Sequence, residues 1–480
     1  MPTPAPTRDT PRYSTEERAA RVRFRRAMCL MVMTLVVPGS AQLVAGSRRV
    51  GMLALRTWLV LVSVAVVLLA AVLLDRGLLF TLGSSPLALG VLRAVLMGAA
   101  IGWAVLFMDA WRLGQPLSLA MAQRRAIVGV NGVLCFGVAA TLLFGAHLVG
   151  VQRDFVLSMF GDGSATKATD GRYNVLLLGG DSGAGRWGLR PDSMTVASID
   201  AETGRTVLIA LPRNMEDFPF REGSVMDRQF PRGFDADYLN GVSTWAQDHA
   251  ELFAKSTTPG IDATVMAVEG ITDLDINYWA MVNLEGFKEL VDAVGGVRLT
   301  VRQPIPVGGL GDDVVREIPP GTRVLNGIDT LWYARAREGS DDYSRMARQK
   351  CVMAAMVTQL SPQTVVRNFE GIATASADLV STNLPSSELG TFMELALKAK
   401  DQKISTLSLV PPMIDTADPD IALVREKVAQ AVATSEDPPA ASAAAPRKKK
   451  RAPASVTGGS IGSLSEGYAA NESQDLASSC

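Results

Sequence analysis

The chain's 480 residues allow two or three domains, and a formal net charge of −1 points to no class of partner. Its four cysteines share no metal-like or redox-like spacing, which excludes a disulfide-rich scaffold and a paired-cysteine metal or redox centre. Apolar residues are spread unevenly: Leu, Val, Ala, Met and Gly dominate 27–150, whereas 160–435 has the mixture of a soluble domain.

From the N-terminus, residues 1–26 are read as a cytoplasmic basic arm carrying Arg18, Arg21, Arg23, Arg25 and Arg26. A membrane region follows over 27–150. A helix needs about 20 mostly apolar residues to cross roughly 30 Å of hydrocarbon. Stretches of about 52–74, 87–111 and 126–150 qualify, with Arg56, Arg93 and Asp109 toward their ends, where side chains can snorkel. A fourth stretch, 27–45, is broken by Pro38-Gly39 and reads as a kinked span or a short re-entrant hairpin. Basic residues also mark 47–56 and 112–125, so the positive-inside rule places these segments and the arm in the cytoplasm. The broken stretch then enters and leaves on one side, three full spans remain, and residue 151 onward lies outside the cytoplasm. Four spans with a cytoplasmic C-terminal domain would split the basic segments between the two sides. Gly98 and Gly102 have a spacing that can pack helices, although small residues are also ordinary in membrane helices. The apolar run is too long and too repetitive for a cleavable signal peptide. Cys29 and Cys135 fall in the membrane region, Cys351 reads as a small buried apolar residue in a helix, and Cys480 is the last residue.

Residues 151–169 read as a linker. Beyond it, 173–180, 193–200, 206–211, 296–303 and 404–410 are strand-like, and Ala-Glu-Thr-Gly marks a hairpin between the second and third. Segments 243–255, 261–274, 284–294, 341–360 and 386–400 have helical periodicity. Interleaved strands and helices predict an α/β class with a mixed sheet flanked by helices, preceded by an all-α transmembrane region. The domain is expected over 170–412, with a C-terminal helix or extension at 413–435. The Ala-, Ser-, Pro- and Lys-rich tail, 436–480, is expected to be disordered. Its basic run 447–451 is expected to be solvated, with no nucleic-acid partner.

The stretch LLLGGDSGAGRWGLRPDSM, 176–194, holds a GxGxxG pattern and a Gly-Asp-Ser. A dinucleotide loop must open into a helix, but here a strand follows almost at once. A serine hydrolase needs a histidine base. The chain has two histidines: His147 lies in a membrane stretch, and His249 lies in a polar helix with no partner pattern. What remains is Asp181, Arg190 and Asp192 close together after a buried strand. Carboxylates suit a hard cation such as Mg²⁺, and arginines suit phosphate oxygens. Both together suit a metal-bound pyrophosphate, and the plain alternative is a surface loop with ordinary salt bridges. Arg213 ends another strand, where α/β ligand sites form. In LWYARAREGSDDYSRMARQK, 331–350, Arg335 and Arg337 alternate, so on an extended segment they face one side. Asp341 or Asp342 can cap the next helix, and Arg345 and Gln349 follow Asp342 on one face.

The pieces NVLLLGGDS, LRPDSMTVASID, VLIALPRN, INYWAMVNLEGFKELVDAVGGVRLTV and LNGIDTLWYARAREGSDDYSRMARQK occur in that order over roughly 170–410. Together they resemble the LytR-CpsA-Psr family of cell-wall assembly proteins. The resemblance implies an exported α/β domain acting as a phosphotransferase, and the multi-pass cell-membrane anchor read above departs from the family's usual single span. It would move a glycopolymer, such as teichoic acid, from a polyprenyl pyrophosphate carrier to a hydroxyl of peptidoglycan. By motif, Asp181 and Asp192 would hold Mg²⁺, while Arg190, Arg213, Arg335, Arg337, Arg345 and Gln349 would bind the pyrophosphate. Asp181, Arg213 and Asp342 would be catalytic, with Asp342 activating the acceptor hydroxyl. The prenyl tail would enter an apolar core between sheet and helices. A hydrolase using water as acceptor, and a non-catalytic lipid-binding regulator, are the alternatives. Asn214 departs from the family pattern, which has aspartate there.

Overall fold

In a computed structural model the chain divides into two units, Met1–Arg153 and Asp154–Cys480. The structure describes residues 15–74, 77–159, 165–180, 190–253, 256–309, 313–337, 341–359, 380–400, 402–436, 471, 475 and 476. Asp181 therefore lies outside the described residues.

The first unit is helical: α1 (Thr15–Val36), α2 (Ser40–Ala45), α3 (Arg48–Leu74), α4 (Gly77–Ser84), α5 (Pro86–Leu113) and α6 (Met121–Met159). Among the described residues, three helical stretches are long and apolar enough to cross a membrane, namely Arg48–Leu74, Pro86–Ser118 and Met121–Leu157. The expected break falls between α1 and α2. Gly39 sits there at φ +90°, and a Cβ on it would lie 2.6 Å from the Gly51 carbonyl oxygen, so only glycine allows that approach. Cross-helix bonds fix the break: Gln42 Nε2 donates to the Leu106 carbonyl at 3.0 Å, and Trp103 Nε1 to that of Thr34 at 3.1 Å. Among the described residues, a Cβ on Gly98 or Gly102 would meet nothing within 4 Å. The linker expected at 151–169 begins later, since α6 continues to Met159.

The second unit begins with β1 (Arg172–Gly180), β2 (Pro191–Asp200) and β3 (Thr206–Leu211), then the short α7 (Val225–Gln229) and α8 (Val242–Asp248). Next come α9 (Pro259–Thr272), β4 (Tyr278–Asn283), α10 (Leu284–Ala293), β5 (Val297–Val301), β6 (Ile305–Gly308), β7 (Val314–Ile318) and β8 (Gly321–Leu325). The helices α11 (Gly327–Arg335) and α12 (Asp342–Gln359) precede β9 (Val380–Thr382), α13 (Leu389–Lys400), β10 (Ser405–Ser408) and α14 (Ile421–Glu436). Six strands form a mixed sheet in the order β10-β3-β2-β1-β4-β9, parallel at β10/β3 and β1/β4 and antiparallel at the other pairs. Two antiparallel pairs, β5/β8 and β6/β7, stand apart from it.

Alternation on β1 gives the sheet two faces. Leu176 and Leu178 join a core with Val196, Ile209, Phe218, Phe234 and Val268. Leu177, between them, packs on the opposite face with Ala197, Leu208 and Ala354 of α12. A further core joins β5, β6 and β8 to α10, α11 and α12. The helix expected over 243–255 is shorter: α8 ends at Asp248, and a 3₁₀ turn follows at Ala250–Phe253. His249 closes α8 and stacks on Trp245, with ring centroids 4.1 Å apart.

Cys351 is buried in α12 as expected, 1% exposed in the apolar core, and is also disulfide-bonded. One expectation is corrected: the C-terminal stretch is not wholly apart from the fold. Asp475 bridges Ser405 of β10, and Leu476 is buried against the sheet and α12. Composition misled there, because these contacts are far away in sequence.

Candidate functional site

The strand register builds the first part of the site. Met194 pairs with Leu211 across β2 and β3, so extending the register by two residues sets Asp192 opposite Arg213. The side chains close that gap: Arg213 Nη1 donates to Asp192 Oδ1 at 2.6 Å. Arg213 Nε donates to Asp342 Oδ1 at 3.0 Å, which ties the sheet edge to the first turn of α12.

The choice between Asp341 and Asp342 resolves into two roles. Asp341 Oδ1 accepts from the Ser344 backbone N–H at 2.7 Å and so caps α12. Asp342 is left to the arginines. Arg345 donates to both of its oxygens, Nε at 3.1 Å and Nη2 at 2.9 Å, and its Nη1 donates to the Asp192 carbonyl at 2.7 Å. This planar fork holds Arg345, only 2% exposed, in one orientation. Burial would raise the Asp342 carboxyl, but Arg345 and Arg213 outweigh it and hold that group below the usual carboxylate range. Burial likewise opposes the charge on Arg213, and Asp342 and Asp192 more than compensate.

A polar cleft of about 540 Å³ opens over these groups. Arg190, Arg213 and Arg337 line it with Asp192 and Asp342, and Asn214, Tyr238 and Asn240 complete the wall. Arg190 Nη2 donates to Asp237 Oδ2 at 3.0 Å and to Asn240 Oδ1 at 3.1 Å. Arg337 forms no hydrogen bond or ion pair among the described residues. Burial, then repulsion from Arg213 and Arg345, pulls its guanidinium below the ordinary arginine value. Among the described residues Asn214 Oδ1 is buried without a hydrogen-bond partner, and no carboxylate pairs with Arg337, a position that suits an anionic ligand.

A second cavity, about 200 Å³, is walled by Phe287, Leu331, Ala334, Val352, Met353 and Met356, with Asp192, Arg335, Arg345 and Gln349 at its polar margin. Asn283 opens its wall from the end of β4: its side chain caps α10 by accepting from Gly286 N–H at 2.7 Å, so strand passes straight into helix. Asp192 lines both cavities.

Arg335 and Arg337 do not share one face of an extended segment. Asn326 caps α11 by accepting from the Asp329 N–H at 2.9 Å, and the helix runs to Arg335. Arg335 lines the apolar cavity, its guanidinium 5.9 Å from the Trp332 ring centroid, while Arg337 lines the polar cleft. Gln349 lies at the apolar cavity and donates to the Ala334 carbonyl at 3.3 Å. Arg348 turns away from the cleft. Buried, it donates to the carbonyls of Tyr333 and Ala336 and so closes the end of α11. The sequence reading missed Asp237, Tyr238 and Asn240. Their one local signal is the Asn240-Gly241 turn before α8, which marks a turn and no chemistry.

The LytR_cpsA_psr family profile matches residues 158–434. The chain belongs to that family. It is 26% identical over 266 residues to Biofilm regulatory protein A of Streptococcus mutans, covering 54% of this chain and 61% of that protein. It is 28% identical over 223 residues to the polyisoprenyl-teichoic acid–peptidoglycan teichoic acid transferase TagU of Oceanobacillus iheyensis, covering 46% and 61%. The chain thus spans about three fifths of the length of each. Among solved structures, Bacillus subtilis TagV is 23% identical with a TM-score of 0.41, covering 56% of this chain and 98% of that one.

Proposed function

We propose that this family member is a membrane-anchored phosphotransferase that moves a glycopolymer from a polyprenyl pyrophosphate carrier to a hydroxyl of peptidoglycan. The observation that carries the reading is the pair of cavities sharing Asp192: an arginine-lined polar cleft beside an apolar pocket. An amphiphile with an anionic head and a long hydrocarbon tail matches that pair. The name of the transferase relative, which specifies a polyisoprenyl-linked teichoic acid and peptidoglycan, supports the same substrate class.

In this reading Arg337 and Arg213 bind the pyrophosphate oxygens, and the prenyl chain lies along Phe287, Leu331 and Val352. The acceptor hydroxyl attacks the phosphorus that bears the glycan, and the bond to the bridging oxygen breaks. Polyprenyl phosphate leaves, and the hydroxyl proton passes to solvent. Fixed guanidinium groups match the charge that grows on the leaving phosphate, and preorganised donors of this kind lower phosphoryl-transfer barriers. Asp342, held below the usual carboxylate range, is a poor proton acceptor. We assign it to orienting Arg213 and Arg345 instead.

The donor chemistry here fits Mg²⁺. Asp192 presents a carboxylate and Asn214 a buried amide oxygen with no hydrogen-bond partner among the described residues, both at the cleft. When bound, the ion would neutralise pyrophosphate charge. Asp181, the other expected ligand, lies outside the described residues. The positive-inside pattern supports three spans, with the second unit outside the cytoplasm.

The test incubates the full chain in detergent with a labelled polyprenyl pyrophosphate-linked glycan and peptidoglycan fragments, with and without Mg²⁺. Label reaching peptidoglycan, and lost in Arg213→Ala, is the expected result. Label released into water would make the protein a hydrolase. Label that stays on bound lipid would refute turnover and leave a lipid-binding regulator.

A further inference from the structure

Two arginines meet where the start of α5 packs on the end of α6, and the proposed transfer reaction uses neither. A Cβ on Gly90 would lie 3.5 Å from Arg153 Nε, one on Gly150 would lie 3.2 Å from the Arg93 guanidinium carbon, and one on Gly145 would lie 3.7 Å from a Leu96 methyl. The two helices therefore run antiparallel, and each arginine lies across a glycine of the other helix. Arg153 Nε donates to the Pro86 carbonyl at 3.3 Å, and Gln152 Nε2 to that of Gly83 at 3.2 Å. These bonds hold the end of α6 against the first turn of α5. Arg93 is exposed and forms no hydrogen bond or ion pair among the described residues. Because Arg153 lies over Gly90, one turn before Arg93, the two guanidinium groups are offset by roughly 4.5 Å along the helix axes.

Their depth follows from the length of α5. Arg112 stands nineteen positions after Arg93 on the same helix, a rise of about 28 Å. That spacing matches the roughly 30 Å of hydrocarbon in a bilayer. With Arg112 at one margin, Arg93 lies at the other, level with the lipid head groups. The basic segment 112–125 marks the first margin, so the orientation proposed above puts Arg93 and Arg153 in the outer leaflet.

Over 77–97 and 143–159 the residues of fixed charge are Arg93, Arg153 and Asp154, an excess of positive charge. At a membrane margin such an excess is costly unless an anion offsets it. Leu92 and Val95, on either side of Arg93, are exposed and give a hydrocarbon chain an apolar bed.

We infer that Arg93 and Arg153 form a second lipid-phosphate site, which holds the phosphate of a prenyl phosphate while its hydrocarbon chain lies in the bilayer along α5. A phosphate monoester carries more negative charge and one more terminal oxygen than the phosphodiester of an ordinary phospholipid. Two guanidinium groups one turn apart match the monoester better. Polyprenyl phosphate is the leaving group of the transfer proposed above, so the site would receive a product of the reaction. The prenyl identity of the lipid rests on that reading; the phosphate site does not.

The test counts lipids on the full chain in detergent by native mass spectrometry, with a long-chain polyprenyl phosphate as probe and phosphatidylglycerol as competitor. The parent should bind two polyprenyl phosphates, one in the apolar pocket and one at Arg93. Arg93→Gln should weaken one of the two by about tenfold, with the thermal transition in place. Val352→Trp, which fills the pocket, should remove the other. Two lipids held with unchanged affinity in Arg93→Gln would overturn the site. Displacement by phosphatidylglycerol at equal concentration would overturn the assignment to a phosphate monoester. If Arg93→Gln loses one lipid and Val352→Trp loses none, the inference stands and the pocket fails as the seat of the prenyl tail.

Discussion

Arg213 and Arg337 line the same cleft, yet they differ in what holds them. Arg213 is committed to Asp192 and Asp342, so Arg213→Ala removes a clamp, strips the partly buried Asp192 carboxylate of this ion pair and leaves Asp342 to Arg345. It should lower kcat by about 10²–10³ and also reduce stability by about 1–3 kcal/mol. Arg337→Ala removes a cation that has no ion-pair partner among the described residues. It should raise KM for the pyrophosphate lipid while unfolding stays within about 0.5 kcal/mol of the parent. Kinetics and thermal unfolding of the two variants side by side check the contrast. A large loss of stability in Arg337→Ala would mean that it is structural. Asp342 sets a pH dependence. Its folded carboxyl lies below the ordinary value, so on acidification the unfolded chain takes up the proton first. The stabilisation is full above the ordinary carboxylate range and is lost as pH falls through the lower folded value. In Asp342→Asn that part of the acid limb should vanish from a plot of Tm against pH.

At the scale of elements, α12 is the organiser. One face carries Asp342, Arg345 and Gln349 to the two cavities, and another packs on the sheet through Ala354. Val352→Trp should fill much of the apolar pocket. It is expected to weaken binding of a long-chain prenyl pyrophosphate while sparing a short-chain analogue, as competition binding would read. Equal loss for both chain lengths would exclude the pocket as the tail site. Much of α12 was legible, because Asp342, Arg345 and Gln349 recur at helical spacing and need only local geometry. The strands β1, β2 and β3 were legible too, as apolar runs bounded by glycine and a hairpin signal. β5 was legible within 296–303, whereas the short strands β6, β7 and β8 were not. Most residues of β7 and β8 face solvent, and their pairing is decided by α10 and α11 packing beneath them. Arg335 and Arg337 were misread because two alternate residues also fit a helix end, and only the Asn326 cap and the Arg348 bonds fix that end. The groups around Asn240 come together through tertiary contact alone, which leaves no periodic trace.

For the whole molecule, the two units carry separate cores. The second unit's clusters draw on residues from Leu176 onward, so residues 165–480 produced alone should unfold in one cooperative transition. A broad, non-cooperative melt by circular dichroism would show that the helical unit is needed. A six-stranded sheet also has two open sides, and β10 forms one of them. Exposed edge strands invite pairing with another chain. The bridge between Ser405 and Asp475 occupies that side with the chain's own end. Trimming the C-terminus would thus do more than loosen a helix: it would turn β10 into an adhesive margin. Shortened chains would then self-associate edge to edge, at a rate that rises with concentration.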